Sequence, residues 1–301
     1  MRKPIKKLSM FQIIFFSLKA ALFHNNNSIS GVPVKIGPYT LIKPLTKVGT
    51  IANFQIGIYE KNGKKFFGKT WNKKSKDLSY YTLLNEFRVC EILRQKLDDL
   101  QSEVRVPKPV FLYQQDNSLS VLFEYIGYKD ISTLPVEKQA DIYQRALIEL
   151  ERASKHLSES EKTVFTKRTM LFYLLSLPFH IMLAAVKNPT LIRPLLRACR
   201  KLFRLVRIKN DLVLSHRDLR GPNIKIGNNK IYLLDSEDMT LTVNGFDVAD
   251  VNILLRNQSK KKQVSVTLPG SNYAFFMQYI AIQRSSNLLH DDRYKNYLRQ
   301  K

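Results

Sequence analysis

The chain has 301 residues, of which 44% are hydrophobic, and a formal net charge of +24 at pH 7. That length and apolar content are ordinary for a globular protein and are sufficient for two lobes with hydrophobic cores. The two cysteines, Cys90 and Cys199, exclude a disulfide framework and a cysteine-rich zinc site, and the five histidines show no metal-ligand spacing.

The positive charge is concentrated in two stretches. Residues 1–70 contain twelve Lys or Arg residues and one acid, Glu60, whereas residues 162–210 contain eleven and no acid. Such stretches favour an anionic partner, either a membrane surface or an acceptor molecule. Nucleic acid is an unlikely partner, because the basic runs are interleaved with aliphatic more than aromatic side chains and contain no recognised nucleic-acid motif.

Residues 1–37 are predicted to be a basic amphipathic arm followed by a linker. The basic segment Met1–Lys7 precedes the apolar segment Met10–Leu18, which partly imitates a signal peptide. The apolar core is short, Lys19 follows it, and there is no clear small-residue cleavage site. We therefore expect the arm to lie on the inner membrane surface, with Asn25–Gly31 as the linker.

From residue 38 the pattern predicts strands and one helix. Gly49 stands between two strand-like runs, which alone would indicate a plain hairpin. Residues 64–71 read as a strand after an Asn62-Gly63 turn, and helical spacing follows near residues 80–100. Residues 119–126 form an apolar strand that runs out into a connector.

The stretch 162–210 contains an apolar run and a basic helix. The run 170–186 is slightly short for a bilayer span, and Pro178 and His180 interrupt it. Over residues 191–209, basic side chains recur at helical offsets, and most apolar ones are predicted on the other face: Arg193, Arg197, Arg200, Lys201, Arg204 and Arg207 against Leu195, Leu196, Cys199, Leu202, Phe203 and Val206. The alternatives are a membrane or substrate surface, a solvated helix packed on a large lobe and, for the apolar run, a membrane span.

The chemistry is concentrated in residues 216–235. A loop from His216 to Asn223 is followed by a predicted hairpin, whose second strand, 230–234, ends at Asp235. Transfer of a phosphoryl group needs a carboxylate near the attacking hydroxyl and Mg²⁺ held by hard oxygen ligands. Asp218 can act as the base, and Asn223 and Asp235 can hold the metal.

This arrangement resembles the protein-kinase-like superfamily. Asp235 is followed by Ser-Glu-Asp, no Ala-Pro-Glu segment appears downstream, and only eleven residues separate Asp235 from Asp247. These features resemble the branch of aminoglycoside and choline phosphotransferases and lipopolysaccharide-core kinases. The resemblance implies a two-lobed α+β fold: a small antiparallel β lobe with one helix (38–126) and a larger, mainly helical lobe (127–301) that carries the basic insertion 162–210.

The resemblance also implies roles for further residues. Gly49 would belong to a reduced phosphate-covering loop, and Lys69 would contact nucleotide phosphates while paired with Glu86; Glu91 is the alternative partner. Backbone atoms near Glu124 and Ile126 would meet the adenine. Arg220 would contact phosphate. Glu237 could touch a second metal or the substrate, and otherwise it is a solvent-facing carboxylate.

The expected function is an ATP- and Mg²⁺-dependent phosphotransferase acting on a hydroxyl of a small molecule, sugar or glycolipid, with an anionic or membrane-presented acceptor favoured. Because the reaction needs ATP, we expect a cytoplasmic protein, peripheral on the inner membrane face. A protein kinase is the competing enzyme, and the short segment 236–246 argues against it. A scaffold on the same fold is the competing non-enzyme, and intact Lys69, Asp218, Asn223 and Asp235 argue against it.

Overall fold

The computed structural model describes residues 31–46, 54–72, 77–115, 117–206, 211–258, 264–285 and 292–299. The chain divides into two compact units. The first is Met1–Phe87 with Pro109–Tyr125, and the second is Arg88–Lys108 with Ile126–Lys301. Residues 1–30 of the predicted arm and linker (1–37) and the predicted phosphate-covering Gly49 lie outside the described residues.

The strands and helices are numbered in chain order along the described residues. Strands β1 to β13 are Lys35–Ile36, Tyr39–Pro44, Gln55–Lys61, Lys64–Asn72, Val104–Arg105, Pro109–Gln115, Ser118–Glu124, Lys129–Asp130, Thr166–Arg168, Leu212–Ser215, Ile224–Gly227, Lys230–Leu233 and Thr240–Val243. Helices α1 to α8 are Leu78–Asp99, Val136–Lys155, Glu159–Lys162, Met170–Lys187, Ile192–Leu205, Phe246–Gln258, Tyr273–Ser285 and Asp292–Arg299.

The first unit is built on an antiparallel sheet with the strand order β1-β2-β3-β4-β7-β6. β3 and β4 form a hairpin whose turn residues, Asn62 and Gly63, have φ of 52° and 73°. Positive φ at both positions is the requirement of the two-residue turn that suits the sheet twist, so the Asn-Gly turn is confirmed. The sheet already begins at Lys35, before the expected boundary at residue 38.

The core of the first unit forms between inward-facing residues of adjacent strands. Ile36, Tyr39, Tyr59 and Leu122 are buried together. The ring of Tyr59 lies so close to β4 that a Cβ on Gly68 would come within 2.5 Å of it. Glycine at this position therefore lets the tyrosine ring cross the sheet face beside β4.

The second unit contains two small sheets. One has the order β5-β12-β11-β8, in which β11 and β12 pair as the predicted antiparallel hairpin. Its turn residues Asn228 and Asn229 have φ of 51° and 56°, a region that asparagine tolerates better than other side chains. The other sheet has the order β10-β13-β9, and β10 leads directly into the loop that begins at His216.

An aromatic cluster forms the helical core of the second unit. Tyr173 on α4 contacts Phe246 on α6 and both Phe276 and Tyr279 on α7, with ring centroids 4.9 to 5.9 Å apart. Pro178 lies inside α4, which is continuous from Met170 to Lys187. Contacts that pack α4 against α7 support the helix around the proline, which lacks one backbone donor.

Within the described residues, α4 is also the one helix long and apolar enough to cross a membrane by length and composition. Core helices of soluble proteins pass the same test, and 39% of α4 is buried. The hydroxyl of Ser176 lies 2.8 Å from that of Tyr279 on α7, and the hydroxyl of Tyr173 lies 2.5 Å from that of Thr242 on β13. These polar contacts attach one face of α4 to β13 and α7 of the second unit.

The predicted basic helix over residues 191–209 is helix α5, which covers Ile192–Leu205. Leu195 and Leu202 are buried as expected, but Leu196 and Phe203 are 55% and 65% exposed. The apolar side chains of α5 are therefore divided between a buried side and an exposed side. Arg207 and Lys209 lie outside the described residues.

Candidate active site

The loop between β10 and the short 3₁₀ turn Gly221–Asn223 brings two of the predicted site residues into direct contact. The side-chain amide of Asn223 donates to Asp218 Oδ2 at 3.0 Å and to the Asp218 backbone carbonyl at 3.0 Å. Asp218 and Asn223 therefore form one unit within the loop, with the amide nitrogen committed as a donor. The Asn223 Oδ1 oxygen is then the atom of this side chain that can coordinate a cation.

The end of β12 is attached to the same loop by two backbone contacts. The Leu234 N–H donates to the Asn223 carbonyl at 2.8 Å, and His216 Nε2 lies 2.8 Å from the Leu234 carbonyl. Asp235 follows directly, with left-handed backbone angles (φ 62°, ψ 55°). The local fold thus brings Asp235 next to the loop that contains Asp218 and Asn223, and the hard oxygens of Asn223 and Asp235 suit Mg²⁺.

Asp247, in the first turn of α6, holds the backbone of the loop. One carboxylate oxygen accepts from Ser215 Oγ and the Arg217 N–H, both at 2.8 Å, and the other accepts from the His216 N–H at 2.6 Å. Full burial raises the pKa of Asp247, while these donors oppose the shift by stabilising the charged form. From the sequence, Asp247 was recognised only as part of the family pattern, and its role in holding the loop was not predicted.

Two arginines lie beside Asp218. Arg220 Nε is 2.7 Å from Asp218 Oδ1, and Arg284 Nη2 is 3.6 Å from the same oxygen. Arg284, on α7, also donates to the Arg217 carbonyl at 2.9 Å and lies 3.4 Å from Asp250. The assignment of Arg220 as a phosphate contact stays a prediction, since the structure shows it paired with Asp218.

Arg284 was not predicted from the sequence as a residue of the site. It lies 66 residues after Asp218 in the chain, outside any motif, and a lone arginine near the end of a helix has no distinguishing local pattern. Burial lowers its pKa, but the charges of Asp250 and Asp218 outweigh that effect and raise the pKa above its usual value. A permanently charged guanidinium therefore connects α7 to the loop.

The first unit contains the predicted ion pair between Lys69 on β4 and Glu86 on α1. Lys69 Nζ lies 2.9 and 3.1 Å from the two carboxylate oxygens of Glu86, and both side chains are buried. The pairing with Glu86 is confirmed, and Glu91, the alternative, is exposed. The nearby ring of Phe54, 5.7 Å from Lys69 Nζ, adds a favourable contact for the cation.

The two residues predicted to contact the adenine lie at the end of β7 and just after it. Glu124 ends β7, where it pairs in register with Phe66, and Ile126 follows two residues later; both are half-buried. Their contact with an adenine stays a prediction. Glu237 lies in the 3₁₀ turn Ser236–Asp238 and is half-buried rather than solvent-facing.

Comparisons with known proteins agree with this architecture. No family model matches the chain, and no curated protein matches it in sequence. Among solved structures, spectinomycin phosphotransferase in complex with ADP and spectinomycin is 13% identical, with a TM-score of 0.55 over 99% of this chain and 95% of that one. An aminoglycoside phosphotransferase with AMP-PNP and hygromycin B is 12% identical, with a TM-score of 0.56 over 88% and 95% of the two chains.

A third similar structure is the macrolide 2′-phosphotransferase from Brachybacterium faecium, which is 10% identical with a TM-score of 0.51. It is matched over 95% of this chain and 86% of its own. At these identities the likeness establishes the fold. The protein has the α+β protein-kinase-like fold in the form found in these phosphotransferases, as the sequence resemblance predicted.

Proposed function

We propose that the protein is an ATP- and Mg²⁺-dependent phosphotransferase that acts on a hydroxyl group of a small molecule. The contact that carries this proposal is the hydrogen bond from Asn223 to Asp218, in a loop held by Asp247. In phosphoryl transfer a positioned carboxylate accepts the proton of the attacking hydroxyl as the new O–P bond forms and the bond to the leaving nucleotide breaks. Asp218 is the group proposed for that task.

The other residues would position the nucleotide. Lys69, oriented by Glu86, would contact the phosphates, and Arg220 would add a second cation near the reacting group. Asn223 and Asp235 would hold Mg²⁺, which neutralises phosphate charge when bound. This mechanism requires almost no covalent chemistry from the protein and relies on charges held in fixed positions. The buried Lys69–Glu86 ion pair is such a fixed charge.

The solved structures of similar fold support a small-molecule acceptor, since they are phosphotransferases described with spectinomycin or hygromycin B and with ADP or AMP-PNP. A protein-kinase activity is less well supported. Between Asp235 and α6 the chain forms only the 3₁₀ turn Ser236–Asp238 and strand β13, which pairs with both β9 and β10. That segment is therefore part of a small sheet of the second unit and contains no long loop that could bind a peptide.

The direct test is ATP consumption measured across a panel of hydroxyl compounds, with and without Mg²⁺. The Asp218→Ala variant should lose acceptor-dependent consumption. The matched control is Asp141→Ala, because Asp141 is an exposed aspartate on α2. Consumption that persists in the Asp218 variant would contradict the assignment of the reacting site.

We further propose that the acceptor is a sugar or glycolipid met at an anionic membrane surface, on the cytoplasmic side where ATP is available. Support comes from exposed apolar side chains on α4 and α5. They recur at helical spacing and are between 46% and 73% exposed: Leu171, Leu175, Met182 and Val186 on α4, and Ile192, Leu196 and Phe203 on α5. Each set therefore forms an apolar stripe on a solvent-facing side of its helix.

A basic stripe runs beside the apolar stripe of α5. Arg193, Arg197, Arg200 and Arg204 are all exposed and each follows an apolar position by one residue. A helix with a buried side, an exposed apolar stripe and an adjacent basic stripe has the composition of an interfacial helix. The apolar side chains would enter the acyl boundary, while the arginines meet anionic headgroups, so lipids with negative charge are the proposed partner.

A further inference from the structure

Arg168 and Arg217 in the second unit have no acidic partner among the described residues. Arg168 ends β9, and Arg217 lies in the loop next to Asp218, with its residue only 7% exposed. The Nε atoms of both are buried and have no hydrogen-bond partner. Among the residues that the structure describes, no carboxylate lies within ion-pair distance of either guanidinium.

The two guanidinium groups lie on a continuous aromatic surface. Arg168 is 5.1 Å from the ring centre of Phe172, and Arg217 is 4.8 Å from that of Phe246. Tyr173 joins these rings, since its centroid is 5.5 Å from Phe172 and 5.9 Å from Phe246. The ring contacts therefore connect both cations to one patch of the second unit.

His180 belongs to the same patch. Its ring packs edge-on against Tyr279 at 5.8 Å, and Tyr279 contacts Tyr173 at 4.9 Å. Burial lowers the pKa of His180 to about 4, and the charges of Arg217 and Arg168 act in the same direction. Burial also lowers the pKa of Arg168 to about 10, with a further contribution from Arg217.

Such an arrangement is unfavourable for the protein alone. A buried charge without a partner is strongly destabilising, and a cation–π contact offsets only part of that cost. The charge of Asp238 favours the protonated form of Arg168, but Asp238 is exposed and does not form an ion pair with it. An anion bound at this patch would supply the missing countercharge.

We propose that Arg168 and Arg217 form a binding site for a phosphate-type oxyanion. Guanidinium groups present two parallel N–H donors that match the oxygen spacing of phosphate, and both Nε donors here are uncommitted. Arg168 as a whole residue is partly buried, so some of its side chain reaches solvent even though its Nε atom is enclosed. Because Arg217 directly precedes Asp218, an acceptor with such a group would be bound beside the proposed base; this last step rests on the proposed function.

The site is tested on the full chain without ATP or acceptor. Thermal unfolding is measured as inorganic phosphate is increased, against sodium chloride at the same ionic strength. Wild-type protein should show a saturable rise in Tm specific to phosphate, because a ligand that binds the folded state stabilises it. Arg168→Gln should weaken phosphate binding by about tenfold or more, the effect of losing one charge-assisted contact.

The matched control is Lys167→Gln, because Lys167 is the exposed neighbour on the same strand. It removes one positive charge and should keep the phosphate response. Without phosphate, Arg168→Gln should be at least as stable as wild type, since repulsion between buried cations is relieved. An unchanged phosphate response in Arg168→Gln, or an equal loss in Lys167→Gln, would overturn the proposal.

A measurement on wild-type protein avoids dependence on any variant. Phosphate bound beside His180 should raise the pKa of its imidazole, followed by NMR titration in phosphate and in chloride. An identical His180 titration in both salts would also overturn the site. Neither experiment involves phosphoryl transfer, so its failure would leave the catalytic proposal unaffected.

Two sources of the oxyanion are distinguished by competition. Glucose 6-phosphate and inorganic phosphate should both compete at the site, whereas glucose should not. Tighter binding of the sugar phosphate would indicate a group carried by a larger molecule, and tighter binding of inorganic phosphate would indicate a free ion. Binding of glucose as strong as that of glucose 6-phosphate would contradict an oxyanion site.

Discussion

Asp247 holds Arg217 in a left-handed backbone conformation. The Arg217 N–H donates to Asp247 Oδ1 at 2.8 Å, and Arg217 has φ of 67°, which is unfavourable for a long side chain. Two further donors, Ser215 Oγ and the His216 N–H, bind the same carboxylate. The carboxylate therefore sustains the conformation that precedes Asp218.

Asp247→Asn should destabilise the protein and slow the reaction. The amide replaces one acceptor by a donor that faces backbone N–H groups, which we expect to lower the free energy of unfolding by about 2–3 kcal/mol. Urea unfolding measures this change, and kcat should fall because Asp218 is less well positioned. Asp141→Asn on the surface of α2 is the control. Wild-type stability in the Asp247 variant would refute the anchoring role.

Asp218 and Asp235 should separate into different kinetic roles. Asp218→Ala should lower kcat by about 10²–10⁴-fold, the range for a positioned general base, with little loss of nucleotide affinity. Asp235→Ala should instead abolish Mg²⁺-dependent nucleotide binding, measured by calorimetry with and without the metal. Should both variants transfer phosphate like the wild type, the site has been placed wrongly.

Lys69 and Glu86 should be energetically coupled. Each side chain is buried and orients the other, with Nζ 2.9 Å from Oε2. Removing one leaves the other as an unpaired buried charge, so Lys69→Ala and Glu86→Ala should give strongly non-additive losses in activity and stability. A double-mutant cycle measures the coupling, with Glu91→Ala as the control. Simple additivity would argue against a functional pair.

The basic stripe of α5 should determine binding to anionic vesicles. Near such a surface each Lys or Arg contributes about 1 kcal/mol, so replacing Arg193, Arg197 and Arg204 with Gln should weaken partitioning by roughly a hundredfold. Co-sedimentation at low and high salt is the measurement, because salt screens the attraction. Replacing the exposed Lys138, Arg152 and Lys155 of α2 with Gln removes the same charge and is the control.

Replacing a side chain of the apolar stripe of α5 tests vesicle binding independently of charge. Phe203→Ser should reduce vesicle binding at every salt concentration, since it removes apolar area that the membrane would bury and leaves the charge unchanged. Equal partitioning of wild type and all variants would identify α5 as a solvated helix of the second unit.

His180 should make the stability of the protein depend on mildly acidic pH. Its pKa is about 4 in the folded protein, against about 6.5 for an unfolded histidine. The unfolded state therefore binds the proton first, and stability is lost as pH falls from 6.5 towards 4, by at most about 3 kcal/mol. The groups that face His180 are Arg168, Arg217 and Tyr279.

His180→Gln should flatten this part of the stability curve, measured by urea unfolding between pH 4 and 7. The exposed His156, on the C-terminal side of α2, provides the control substitution to Gln. A slope that is the same in wild type and in the His180 variant would show that other groups cause the acid sensitivity.

Short-range patterns were sufficient to predict several elements and one contact. The Asn62-Gly63 turn, the hairpin before Asp235 and helix α1 follow from turn chemistry and hydrophobic spacing, which act within a few residues. The Lys69–Glu86 pair was predicted from family resemblance and is present. The pairing spans 17 residues, and periodicity alone could not have distinguished Glu86 from Glu91.

The sequence by itself therefore determined the kind of fold, the loop from His216 to Asn223 and the presence of a basic helix. Only the tertiary structure decided which side of that helix is buried, since Leu196 and Phe203 satisfy the helical period but are exposed among the described residues. It also decided that Asp247 and Arg284 hold the loop, and that Arg168 meets the same aromatic patch as Arg217. These relationships join residues 30 to 67 positions apart, where the packing of helices and strands, rather than local spacing, determines what each side chain meets.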